Sequence, residues 1–187
     1  MRRIIGITGA PGVGKTTYAV ALAAREGGVH LPMDGFHLAD VSLRELGLME
    51  RKGAPETFDA WGYAALLARL RAEPEEVVYA PAFERDLEQP LAGAVAVPPS
   101  AALVVTEGNY LLLDRPEWRA ARAQVDEVWF LETDEAVRRQ RLHDRHVQFG
   151  KTEEETVAWM ARVDDANAEL VAEGRERADR VVVLKTD

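Results

Sequence analysis

Gly9-Ala10-Pro11-Gly12-Val13-Gly14-Lys15-Thr16 is an unbroken G-x-x-x-x-G-K-[ST] run, and the residues on either side of it decide the fold. Before it, Ile4 to Thr8 is a short apolar stretch of strand character. After it, Thr17 to Arg25 is rich in alanine and leucine and reads as helix. A strand, a glycine loop and a helix in that order form a phosphate cradle. The glycines let successive backbone N–H groups turn inward around phosphate oxygens, and the helix N-terminus adds its partial positive charge. Lys15 is then placed to reach the β and γ phosphates of a nucleotide, and the Thr16 hydroxyl to ligate Mg²⁺. The candidate nucleotide-binding residues are Gly9, Ala10, Pro11, Gly12, Val13, Gly14, Lys15, Thr16 and Thr17.

Further along the chain, Val29 to Pro32, Leu103 to Thr106, Glu127 to Leu131 and Arg180 to Leu184 are short, largely apolar runs. Helical stretches separate them: Lys15 to Arg25, Gly62 to Arg71, Pro116 to Ala123, Asp134 to Val147 and Glu153 to Glu173, the last opened by the capping-box pair Thr152 and Glu155. Apolar strands spaced by helices belong to a parallel sheet buried on both faces. The expected class is therefore α/β, a P-loop NTPase fold in one domain spanning 1–187, with a lid region at about 134–152. Two excursions, at about 38–60 and 77–99, are charged or proline-rich and read as loops over the sheet that bind an acceptor.

The 187 residues, 47% of them hydrophobic, suffice for one sizeable core. A net charge of -9 argues against nucleic acid as a partner, since the positive charges would have to be concentrated in one place. With no cysteine, disulfides, thiolate metal sites and cysteine nucleophiles are excluded, which suits a cytoplasmic setting. The apolar run before Thr8 is too short for a signal segment or a membrane span. A homodimer is the commonest default assembly.

Strand ends supply the candidate catalytic groups. In a parallel sheet the carboxyl ends line the ligand crevice, so Asp34, in Met33-Asp34-Gly35-Phe36-His37, is expected beside the cradle, where it can accept a proton from an attacking hydroxyl. An Asp-Gly pair also simply builds turns; position favours the base. Glu107 ends the next clear strand, where P-loop enzymes place a Mg²⁺-organising acid; it could instead cap the following turn. Arg138, Arg141 and Arg145 share one helix face, with His143 and His146 interleaved, and are read as a phosphate-facing lid rather than a solvated basic face. His37, Arg85, Tyr110 and Asn167 are read as substrate contacts. Trp61, Trp118, Trp129 and Trp159 are read as packing anchors, and Asp164 and Asp165 as a solvated helix face.

Beyond the loop, three blocks carry a resemblance: Met33-Asp34-Gly35-Phe36, Leu46 through Asp59 (LGLMERKGAPETFD) and Glu107-Gly108-Asn109-Tyr110-Leu111-Leu112. In that order they are similar to runs in the phosphoribulokinase, uridine kinase and type I pantothenate kinase family of P-loop kinases. The resemblance implies a central parallel sheet with helices on both faces, a lid closing over ATP, Asp34 as base, Glu107 as the Mg²⁺-associated acid and Arg141 as a phosphate contact. Where pantothenate kinases carry Tyr-x-His after the proline, this chain has Phe83-Glu84-Arg85. The run Ala80 to Arg85 resembles a nucleoside, nucleotide or sugar kinase-like group, and Arg85 suggests an acceptor with an anionic or richly hydroxylated part.

The expected activity is transfer of the γ-phosphate of Mg-ATP to a hydroxyl of a small metabolite. Lys15, Asp34 and Arg141 would be the catalytic residues, Arg145 a further ATP contact, and Thr16 and Glu107 the Mg²⁺ ligands. The alternative class is a nucleotide-dependent switch with no small-molecule acceptor, which would not need Asp34 or the excursions that follow it.

Overall fold

The computed structural model describes residues 2–72 and 75–185. Its main sheet has five parallel strands: β1 (Arg3–Thr8), β2 (Val29–Pro32), β5 (Leu103–Glu107), β6 (Glu127–Glu132) and β7 (Arg180–Val183), in the order β2-β5-β1-β6-β7. Alternate residues along each strand feed opposite faces, which is why the strands are apolar throughout. Ile4, Val104, Val128 and Phe130 face one cluster, with Leu67 and Leu70 of α3 (Ala60–Arg71) and Trp118 of α4 (Pro116–Arg122). Ile5, Ile7, Val105, Trp129 and Leu131 face the other, with Ala19, Leu22 and Ala23 of α1 (Lys15–Arg25). The α/β fold with a parallel sheet covered on both faces is as expected.

Two local departures matter for function. The proline-rich stretch after α3 is a second, two-stranded antiparallel sheet, β3 (Val78–Glu84) paired with β4 (Gln89–Val97), its register shifting between Ala80 and Ala82. The shift falls at Pro81, which has no N–H to give a ladder. The expected single helix over 153–173 is broken: α6 (Glu153–Trp159) and α7 (Asp165–Ala172) are separated by a π-helical turn, Met160–Asp164. The extra residue in that turn rotates Asp164 inward, leaving it only 6% exposed. The reading of Asp164 as solvated is thereby corrected.

The helix caps follow the local chemistry. Asp59 accepts from the Gly62 N–H at the start of α3, Asp134 accepts from the N–H groups of Ala136 and Val137 at the start of α5 (Glu135–Gln148), and Thr152 and Glu155 close the expected capping box on α6. A short helix, α2 (Asp40–Glu45), and three-residue turns occupy the first excursion. Of the four tryptophans, Trp118 and Trp129 are buried as expected, whereas Trp61 is 60% exposed. That residue lies on the solvent side of α3, so it anchors nothing.

Candidate active site

Register aligns three strand ends. Pro32 of β2 pairs with Glu107 of β5, and Glu107 in turn pairs with Ile7 of β1. The turn carrying Asp34, the acid Glu107 and the glycine loop therefore emerge level along one rim of the sheet, and all three border a cavity of about 580 Å³.

The loop itself is built for an anion. Gly14 caps α1 in the left-handed region (φ 102°) with no side chain bonding the first turn. The early N–H groups of that helix are thus left for a ligand. Gly12, at φ 82°, lies so close to α5 that a Cβ would meet the Arg138 carbonyl oxygen at 2.7 Å. Lys15 Nζ donates to the carbonyls of Gly9 and Ala10, at 2.8 and 3.0 Å. Burial pulls its pKa down to about 8, partly countered by the nearby Glu107 and Asp34 charges. An ammonium so desolvated gains from a phosphate beside it.

The Thr16 hydroxyl donates to Glu107 Oε1 at 3.2 Å. These two hard oxygens fit Mg²⁺. Among the described residues no three His, Asp or Glu side chains cluster to hold a metal unaided, so phosphate and water oxygens would complete the shell.

Asp34 lies in the 3₁₀ turn Met33–Phe36, and Arg85 of the hairpin reaches its Oδ2 at 3.3 Å. Gly35 is not a positive-φ turn residue; a Cβ there would meet the Pro81 carbonyl oxygen at 2.3 Å. The Asp-Gly pair thus serves close passage of the hairpin over the acid. His37 Nδ1 donates to the Asp34 carbonyl at 2.7 Å, and its ring lies between those of Phe58 and Phe83, with centroids 4.0 and 4.8 Å away. Burial lowers the His37 pKa, so the ring is neutral at ordinary pH.

Pro11, Gly12, Gly14, Lys15, Thr16 and Thr17 line the cavity, as do Asp34, His37, Arg85, Glu107, Arg141, Arg145 and Asn167. Gly9, Ala10 and Val13 shape the loop from behind; Val13 is core. Tyr110 is 1% exposed and behind the wall: its hydroxyl donates to the Gly53 carbonyl, as does Asn167 Nδ2 at 3.2 Å. Its position makes it a support for the Lys52–Gly53 loop instead of a contact. Nor does Arg138 share the surface of its two helix partners. It is 4% exposed, pairs with Glu135, and donates to the Pro11 carbonyl at 2.8 Å, bracing the loop from α5.

Several wall residues escaped the sequence reading: Lys52, Phe58, Phe83, Trp159 and the pair His146 and Asp164, whose Nε2 and Oδ2 lie 2.8 Å apart. The i, i+3 spacing of Asp164 to Asn167 was the available signal for the acid. For Lys52 there was none, because its Nζ is brought to Asp40 Oδ1 (2.7 Å) by the folding of the first excursion on itself and to the Glu88 carbonyl (2.6 Å) by the meeting of the two excursions.

Comparison with known proteins agrees with this fold. Residues 5–159 match a family model described as an AAA domain. A candidate uridine kinase of Schizosaccharomyces pombe is 32% identical over 197 residues, spanning 97% of this chain and 83% of that protein. The crystal structure of a candidate fructose transport system kinase from Silicibacter sp. TM1040 superposes with a TM-score of 0.85 at 38% identity, over 97% of this chain and 89% of that one. YFH7 of Saccharomyces cerevisiae, described as a candidate P-loop containing kinase with a circular permutation, shares the fold with a TM-score of 0.79 at 18% identity, over 100% of this chain and 93% of that one.

Proposed function

This chain belongs to the AAA-domain family of P-loop proteins, among relatives named as kinases, and from that premise we propose that it is a cytoplasmic, ATP-dependent small-molecule kinase. The observation that carries this reading is the shared cavity: a carboxylate at the end of β2 and a phosphate cradle at the end of β1 open on the same space, with Glu107 between them. A nucleotide switch needs the cradle but has no use for the acid or for two excursions walled around it.

In the proposed reaction the acceptor hydroxyl gives its proton to Asp34, its oxygen bonds to the γ-phosphorus of ATP, and the bond from that phosphorus to the β–γ bridging oxygen breaks, releasing ADP. Lys15 and the loop amides hold the β and γ phosphates, and Arg141, whose Nη1 is 3.7 Å from where a Gly14 Cβ would stand, approaches the same loop from α5. Mg²⁺, held by Thr16 and Glu107, would supply neutralising charge to the phosphates. Closure of α5 toward the loop would exclude water, favouring the acceptor over hydrolysis. The named relatives point to nucleosides and sugars as acceptor classes to try first.

The test is ADP release from Mg-ATP against a panel of nucleosides, sugars, sugar phosphates, hydroxy acids and pantothenate. Release that depends on one acceptor and falls about 10²–10⁴-fold in Asp34→Asn, with the KM for ATP little changed, is the expected result. Slow release indifferent to every compound and to the mutation would favour the switch.

A further inference from the structure

The cavity wall carries six lysines and arginines (Lys15, Lys52, Arg85, Arg141, Arg145, Lys151) against four acids (Asp34, Glu88, Glu107, Asp164), in a chain whose net charge is -9. That reversal of sign is local and divides between the two halves of the site. Lys15 and Arg141 stand at the glycine loop, where the nucleotide phosphates belong. Arg145, one helical turn beyond Arg141 on α5, borders both halves: its charge acts on Lys15, and its other charged neighbours are Arg85, Asp164, Asp34 and Glu88.

Each of those three acids already has a partner. Asp34 is held by Arg85 at 3.3 Å, Asp164 by His146 at 2.8 Å, and Glu88 has Lys52 at 3.9 Å. Arg145 makes no side-chain hydrogen bond or ion pair among the described residues, and burial together with the nearby Arg85 charge pulls its pKa down. A desolvated guanidinium with five unused donors beside a second guanidinium is unfavourable until an anion enters between them.

We infer that the phosphate acceptor is itself an anion, a hydroxyl-bearing carboxylate or phosphate monoester whose charged group is gripped jointly by Arg145 and Arg85. This rests on the kinase reading above and narrows its substrate class. Arg85 spends one nitrogen on Asp34 and keeps the rest of its fork, so base and anion grip meet at a single residue. The reacting hydroxyl and the acidic group of the acceptor therefore lie close together in a compact molecule.

Two measurements separate this inference from the reading beneath it. In the first, calorimetric titration of inorganic phosphate is made into protein saturated with Mg-AMP-PNP, so that the γ-phosphate position is already filled. Wild type takes up phosphate; Arg145→Gln and Arg85→Gln weaken it tenfold or more, and Arg145→Lys, which keeps the charge, recovers part of the loss. In the second, ADP release is compared across glycerol, glycerate and glycerol 3-phosphate, and across ribose and ribose 5-phosphate. The charged members exceed the neutral one at least tenfold in kcat/KM, the better of carboxylate and phosphate naming the acid. At saturating ATP, Arg145→Gln removes that preference. No phosphate uptake by wild type, or neutral acceptors used as well as charged ones, overturns the inference and leaves the kinase standing. Phosphate uptake lost in Arg145→Gln, with no acceptor ever stimulating ADP release, overturns the kinase and leaves the anion site.

Discussion

Thr16 Oγ1 and Glu107 Oε1 lie 3.2 Å apart although they are 91 positions apart in sequence, because β1 and β5 are neighbouring parallel strands whose carboxyl ends are in register. A hydroxyl from the cradle and a buried carboxylate from the next strand are thereby offered to one small space. His30 Nε2 lies 3.5 Å from the same Oε1.

If that pair organises Mg²⁺, Glu107→Gln keeps the shape and removes the charge. The Mg²⁺ concentration for half-maximal ADP release is then expected to rise tenfold or more, with maximal turnover falling by about 10². Chelation by EDTA should abolish turnover in both proteins. A magnesium curve unmoved by Glu107→Gln would return the residue to capping the turn after β5.

Lys15 predicts a pH dependence with a definite sign. Burial lowers its folded pKa from 10.5 to about 8, so between those values the unfolded chain binds the proton and the folded one does not. Stability of the free protein therefore rises with pH across that window, and below pH 8 the buried charge is a constant penalty. Between pH 8 and 9.5 urea unfolding should show wild type gaining about 2 kcal/mol relative to Lys15→Met. Nucleotide affinity should run the other way. A bound phosphate restores the ammonium, so binding above pH 8 takes up a proton and weakens up to tenfold per pH unit, as calorimetry in buffers of different ionisation enthalpy would register. Equal stability profiles for the two proteins would show that Lys15 is not desolvated as described.

Gly35 lets the hairpin pass close beside the acid. A Cβ there would meet backbone at Pro81 and Ala82 (2.3 Å to the Pro81 carbonyl oxygen), so Gly35→Ala must push the β3–β4 hairpin off Asp34. The expected outcome is a fall in kcat of tenfold or more with nucleotide affinity preserved. At Gly53 nothing stands within 4 Å of an added Cβ, and only the positive φ of 98° opposes it. Gly53→Ala should destabilise by about 1 kcal/mol and act on turnover far less. The ratio of the two turnover losses, measured with any accepted substrate, decides whether the hairpin's closeness to Asp34 matters.

How much of this was legible beforehand depended on the range over which each feature is encoded. The strands carrying the loop, Asp34 and Glu107 showed as contiguous apolar runs, and their ends fell within about a residue of Thr8, Pro32 and Glu107. The helix from Lys15 to Arg25 and the capping box at Thr152 were equally plain, since propensity and capping act within one or two turns. Other features were not local. Arg138 looked like the first of three phosphate-facing arginines and turned out to brace the Pro11 carbonyl, because a helix face is divided by whatever packs against it. Tyr110 looked like a contact and became a support, its ring against Trp118 and Phe58 and its hydroxyl on Gly53. The hairpin hid behind its prolines, and the inward turn of Asp164 behind a helical pattern that one inserted residue rotates.

The amino-acid sequence by itself therefore determined a parallel α/β sheet, a phosphate-binding loop and the acids at its strand ends, since periodicity, glycine spacing and strand-end position are short-range properties of the chain. Only the tertiary structure decided which polar groups meet: Thr16 with Glu107, Arg85 with Asp34, His146 with Asp164, and Arg145 left without a partner among the described residues. Those meetings depend on how elements separated by tens of residues cross one another, and a side chain's charge is neutralised or left over by its neighbours in space rather than in sequence.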